Sequence, residues 1–229
     1  MPLTQALITL RTNEMFIRFF NLAMSAVIVV TVVISSGPAW CGEATQEQNL
    51  ALLKQIEADL VKKPDNILLK LQHAELMGLL RRFDEQVAEA NMLVKKNPKL
   101  RGAYVIRADG EANQMHYTDA VRTLDLAFEL GAPTPDLLLF KATCLKNEKK
   151  YKEAIETVSR AIEAQPSNFD AYKCRSICYF RLNGPCEQAL RDMEKVVLLN
   201  PSDAKAKTVV ASLKRELAVK TSAGASIVK

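Results

Sequence analysis

The chain has 229 residues, 48% of them hydrophobic and 25% charged, which is ordinary globular composition and length for one or two domains. Aromatics reach only 6%, with Trp40 the single tryptophan, which favours helices packed by Ala, Leu and Val over a β-sandwich. The net charge of +5 is dispersed with no long Lys/Arg run, which argues against a nucleic-acid partner.

The amino terminus reads as an export or anchor segment, residues 1–42. Residues 22–34 contain neither a charge nor a helix breaker, Arg18 lies just before them, and Ser35-Ser36-Gly37-Pro38-Ala39 follow. A basic flank, a short apolar stretch and a small-residue exit describe a secretory signal peptide. Residues 19–40 are uncharged, so an uncleaved signal anchor is the alternative, giving membrane attachment through this stretch, although a full span takes roughly 20 apolar residues. Either way Arg11 and Arg18 stay inside and the rest is placed outside the cytoplasm: exported to periplasm or medium, or anchored facing outward. Met15 offers an alternative start that shortens the leader. At Cys41 the bulky Trp40 disfavours lipidation, and cleavage after Ala39 or Cys41 is expected instead.

Beyond the leader, residues 43–66 read as a lone flanking helix, rich in Leu and Ile over 46–62. Pro64, Pro98, Pro133, Pro166 and Pro201 then recur at spacings of 34, 35, 33 and 35. Proline at a fixed offset stops one helix and resets the next. Cutting at that period divides 67–203 into four units, 67–100, 101–134, 135–168 and 169–203. Each holds two stretches with helical apolar spacing, and the last carries one extra residue near Asn183-Gly184-Pro185. Residues 204–220 read as a capping helix with Asp203 at its start, and 221–229 as a disordered tail.

Within the units, small residues recur at the eighth position (Ala74, Ala108, Ala142, Ser176), an aromatic at the seventeenth (Phe83, Tyr117, Tyr151; Cys186 departs), small residues at the twentieth (Ala120, Ala154, Ala189; Gln86 departs) and at the twenty-seventh (Ala127, Ala161; Leu93 and Val196 depart). In this the chain resembles the tetratricopeptide-repeat (TPR) family over 67–203. The resemblance implies an all-α, right-handed superhelical solenoid of about four TPR helix-turn-helix units with flanking capping helices. Two antiparallel helices in close contact need small residues where they touch, and no unit buries its face alone, so units must stack. The seventh position, commonly Leu in the family, holds His73, Arg107, Lys141 and Arg175, with Asp192 placed to pair with Arg175.

Five cysteines (Cys41, Cys144, Cys174, Cys178, Cys186) admit three readings: small buried hydrophobes, a disulfide with Cys178–Cys186 the favoured pair, or a metal site, for which the spacing matches no usual zinc pattern. His73 and His116 lie near no nucleophile-and-acid constellation, and no Gly-rich phosphate loop is present. No enzyme activity, cofactor, metal or small-molecule substrate is expected.

In the TPR family the first helices of successive units line a concave groove. Carried onto this chain, the resemblance gives Leu68, Leu71, Glu75 and Leu79 in unit one and Val105, Asp109 and Asn113 in unit two. Unit three supplies Leu139, Thr143, Lys146 and Asn147, and unit four Asp170, Lys173, Ile177, Phe180 and Arg181. The early groove is apolar and acidic; the late groove is basic and aromatic. Some family members clamp a peptide carboxylate with Lys, Arg and Asn here, but Ile177 stands where they have Asn. The expected function is that of an exported, non-enzymatic scaffold or adaptor holding a protein or peptide in the groove. The alternative is a membrane-anchored structural subunit of an envelope or secretion complex.

Overall fold

The computed structural model describes residues 41–226, with side chains over 46–220. Residues 1–40, where the signal or anchor is read, lie outside the described residues. Residues 47–226 form a compact unit of helices, and no strand occurs among the described residues. In chain order the helices are α1 (Cys41–Lys62), α2 (Ile67–Leu79), α3 (Phe83–Lys96), α4 (Arg101–Asn113), α5 (Tyr117–Glu129), α6 (Pro135–Asn147), α7 (Tyr151–Ala164), α8 (Phe169–Asn183), α9 (Glu187–Leu199) and α10 (Ala204–Ser226). The last helix runs to Ser226, so residues 221–226, assigned to the disordered tail from composition, continue it instead.

Two kinds of turn alternate. Inside a unit, the first helix ends in a left-handed residue: Arg81, Met115 and Lys149, each with φ of 62–63° and spaced 34 apart. The following amide then reaches back five residues: Arg82 N to Met77 O at 2.8 Å, His116 N to Glu111 O at 2.8 Å, Lys150 N to Leu145 O at 2.9 Å. This bond closes the helix end and reverses the chain tightly. In unit four the extra residue puts Gly184 there, at φ 69° and ψ −157°, a region essentially restricted to glycine. Between units three of the four first helices start on side-chain caps, while α4 follows Leu100 and has none. Asn66 accepts from Leu68 N and Leu69 N, Thr134 from Leu137 N, and Asn168 from Asp170 N and Ala171 N. Asp203 accepts from Ala206 N at 2.9 Å, occupying the same place one period on, so α10 starts as the first helix of a further unit would.

The core is a row of small apolar clusters. Leu71, Ala74, Ala90, Leu93, Ala103 and Ile106 join units one and two. Leu139, Ala142, Leu145, Ala154, Val158, Ile162, Ala171, Cys174 and Cys178 join units three and four. Ala189, Leu190, Met193 and Val196 pack on Ala206 and Leu213 of α10. The small residues at the eighth, twentieth and twenty-seventh positions are buried at the helix contacts, which brings the backbones close.

A polar ladder runs beside this core, built on the seventh position. Each of these residues bonds backwards to the second helix of the preceding unit, sixteen residues away. His73 meets Glu57, Arg107 donates to Asn91 Oδ1, Lys141 pairs with Asp125, and Arg175 donates to Ser159 Oγ. Three also bond forwards within their own unit: His73 to Glu89 at 2.5 Å, Arg107 to Thr123 at 2.7 Å, and Arg175 to both oxygens of Asp192 at 2.8 Å. The Arg175–Asp192 pair anticipated from the sequence is thus one rung of a repeating device. Glu57, Asn91, Asp125 and Ser159 are spaced 34 apart, which shows that α1 occupies the place of the second helix of a preceding unit. Leu53 and Ile56 seat it on Leu76 and Met77. Among the described residues the solenoid therefore opens on a second-type helix, continues through four complete pairs, and closes on a first-type helix.

Candidate binding groove

The first helices α2, α4, α6 and α8 present their ninth-position side chains along one face: Glu75, Asp109, Thr143 and Ile177. Contacts between neighbours make this face continuous. Glu75 and Cys144 both feel the charge of Asp109, and Thr143 hydrogen-bonds with Cys174. The face divides into two halves of different chemistry.

In the first half, Asp109 is held by two amides. Gln86 Nε2 donates to Oδ2 and Asn113 Nδ2 to Oδ1, each at 2.9 Å. Burial nevertheless outweighs these bonds and raises the Asp109 carboxyl to about 6. Glu75 is raised to about 7, chiefly by burial and secondly by the Asp109 charge. No Lys, Arg or His pairs with either carboxylate among the described residues.

Gln86 was not among the expected site residues. It is fully buried, in α3, at the twentieth position where the other units have Ala. The space it needs comes from the helices it faces. A Cβ at Gly78 of α2 would lie 2.5 Å from Gln86 Nε2, and one at Gly110 of α4 would lie 3.1 Å from Gln86 Oε1. Gly78 thus makes room for the amide on its way to Asp109, and Gly110 makes room both for the amide and, more closely, for Val87 Cγ2, which a Cβ there would meet at 2.5 Å. The Gln86 Oε1 has no hydrogen-bond partner. The signal was present in the sequence: a long residue at a small position, with glycines at the twelfth position of the same unit and the tenth of the next.

In the second half, Ile177 and Phe180 are exposed, at 37% and 39%, beside exposed Arg181. Lys146 is half-buried, and its charge acts on Cys144, Cys174 and Cys178. Asn147 and Asn113 are exposed, while Val105 and Thr143 are half-buried.

Several assignments change. Leu71 and Leu139, taken as groove-lining, are swallowed by the core clusters between units. Lys173 is drawn off the groove to Asp203 Oδ2 at 3.3 Å, where it supports the cap of α10. The Ala206 amide and that bond hold the Asp203 carboxyl low. Cys144, Cys174, Cys178 and Cys186 are free, and no Cys178–Cys186 disulfide forms. Cys178 sits inside the cluster between units three and four, hydrogen-bonded with Cys174, whereas Cys186 is half-buried at the start of α9 against a different cluster. Burial pushes the Cys144 thiol up to about 12, and the Cys174–Cys178 contact lowers the former thiol and raises the latter. Among the described residues no group of three or more His, Cys, Asp and Glu could hold a metal ion, and no helix is long and apolar enough to cross a membrane.

Helix pairs of this length, period and small-residue pattern, stacked side by side, define a tetratricopeptide-repeat solenoid, and the chain has that fold. Solved structures agree. YrrB, a TPR protein with an unusual peptide-binding site, matches over 70% of this chain and 82% of its own, at TM-score 0.60 and 16% identity. TTC0263, a thermophilic TPR protein of Thermus thermophilus, matches over 75% and 93%, at TM-score 0.59 and 15% identity. In sequence, the chain is 30% identical over 126 residues to a DnaJ homolog subfamily C member 3 homolog of Dictyostelium discoideum. The match takes in 53% of this chain and spans 25% of that relative's length. No family model matches the chain.

Proposed function

We propose that the protein is an exported, non-catalytic adaptor that holds a protein or peptide segment along the face of α2, α4, α6 and α8. The observation that carries this reading is the pair Ile177 and Phe180. Both are exposed on that face with Arg181 beside them, in a helix that buries Ala171, Cys174 and Cys178 on its other side. Apolar anchors beside a cation suit an extended or helical segment laid in a groove. The peptide-binding site of YrrB, on the same fold, gives the reading further support. Export rests on the leader-like residues 1–42; the uncharged stretch 19–40 keeps anchoring to a membrane, with a structural role in a larger complex, as the second reading.

Crosslinking in native cells, read by mass spectrometry, tests the adaptor. An Ile177→Asp, Phe180→Asp double variant is expected to lose the crosslinked partner while keeping its helical circular dichroism. Retained crosslinks would move the site off this face. Membrane fractionation with amino-terminal sequencing separates a cleaved soluble form from an integral one.

A further inference from the structure

The four rungs of the polar ladder carry different bases. Arginine and lysine keep their charge through neutral pH, and they stand at Arg107, Lys141 and Arg175. The rung of unit one is His73, and an imidazole is the side chain that gains or loses its charge near neutral pH. This rung joins α1 to the first complete unit. Its ring stands between two carboxylates: Nδ1 lies 2.5 Å from Glu89 Oε2 of α3, and Nε2 lies 3.7 Å from Glu57 Oε1 of α1.

We propose that His73 is a pH-graded latch on α1: it holds the helix while the ring is charged and lets it loosen once the ring is neutral.

An imidazolium donates from both nitrogens and so serves Glu57 and Glu89 together. A neutral ring has one N–H and one lone pair, and both carboxylates can only accept. Glu89 keeps the remaining proton, because it is nearer and 16% exposed against 52% for Glu57. The Nε2 lone pair is then left facing Glu57, so the link lost is the one between α1 and unit one.

The charged groups around the ring offer Glu57 no substitute. Glu85 and Glu89 face it from α3, and the ring charge acts on Glu85. Arg82, in the turn before α3, acts on Glu57 but is bonded through two nitrogens to Glu85. Lys70, one turn earlier on α2, acts on Asp65. The latch is therefore set at low pH and released as pH rises through the range in which an imidazole gives up its proton. The apolar seat of Leu53 and Ile56 on Leu76 and Met77 remains. Release thus loosens α1 by degrees and uncovers Leu76 and Met77 more often.

Hydrogen exchange of the full-length chain tests the latch, read by mass spectrometry as protection factors at about pH 5.5 and about pH 8, on either side of imidazole titration. Amides of residues 50–62 are expected to lose about threefold in protection at the higher pH, relative to those of α6 and α7, the scale of a half-exposed ion pair. His73→Arg gives unit one the cation of units two and four, and should keep the protection at the higher pH. Glu57→Gln should show the lower protection at both. Glu75 and Asp109 also titrate near this range but are present in both variants, so a response caused by them would survive His73→Arg. Equal protection of α1 at both pH values in the parent, or an undiminished response in His73→Arg, would overturn the latch. If His73→Arg does not fold, Glu57→Gln decides: a response of the parent's size in that variant overturns it.

Discussion

Units one and two and units three and four share one period and one ladder, yet they join in opposite ways. In the later pair Ala154, Val158, Ala171, Cys174 and Cys178 meet as a dry interface with a small residue at each close contact. In the earlier pair the close-contact position is taken by Gln86, and the smallness has moved across the interface to Gly78 and Gly110. What the packing conserves is the space between helices, and either partner can supply it. The consequence reaches the surface: the dry interface lies under apolar and basic side chains, whereas the polar one delivers an amide to the half-buried carboxylate of Asp109.

Exchanging the two arrangements should break each of them. The greatest loss is expected from Ala154→Gln. Its facing positions in the repeat hold Lys146 and Cys178 rather than glycines, so the amide is overpacked and has no assured partner. A loss of about 3 kcal/mol or more, read from the urea midpoint, is expected. The mirror change, Gly78→Ala, drives a Cβ to 2.5 Å from Gln86 Nε2 and forces that side chain off Asp109. About 2 kcal/mol should be lost despite alanine's better helix propensity. Combining it with Gln86→Ala should return most of that loss, because the pair then resembles the other units. A double-mutant cycle with zero coupling would mean that the glycines are not there for the amide.

A smaller effect has the opposite sign. Glu75 has a folded value of about 7 against a reference of 4.5. Between those values the folded state holds a proton that the unfolded chain has released, so stability falls as pH rises through that window and levels off above it. Asp109, raised from 3.8 to about 6, acts in the same direction at lower pH. Glu75→Gln removes the first contribution. The variant should be more stable than the parent by on the order of 1 kcal/mol at pH 8, with the gap closing towards pH 5 in thermal melts. A pH-independent difference would mean that the carboxyl is not strained by burial.

Some of the site was legible in the chain and some was not. The groove faces of Glu75, Asp109, Ile177 and Phe180 follow from counting along a 34-residue period, because a helix keeps a given register on a given side. Leu71 and Leu139 obey the same count and are buried, since the angle between neighbouring helices decides which of two adjacent registers tips into the interface. Lys173 and Arg181 are alike in sequence terms, but only Lys173 is paired with the aspartate that caps α10. The cysteines divide in the same way. Cys178 and Cys186 are eight apart in sequence, and the turn at Gly184 sends them to different clusters.

Local sequence was enough to set the helices, their period and the turns. A left-handed residue, an Asn or Asp cap and a proline act within one or two helical turns, and their spacing repeats visibly along the chain. Tertiary packing was needed to put α1 and α10 in the places of half-units. Packing also placed His73, Arg107, Lys141 and Arg175 as rungs between units, and brought the departure at Gln86 to Asp109 by way of two glycines on facing helices. Those outcomes depend on distances between residues 16 to 30 positions apart. Such distances are set by how closely neighbouring helices approach, which no single helix specifies.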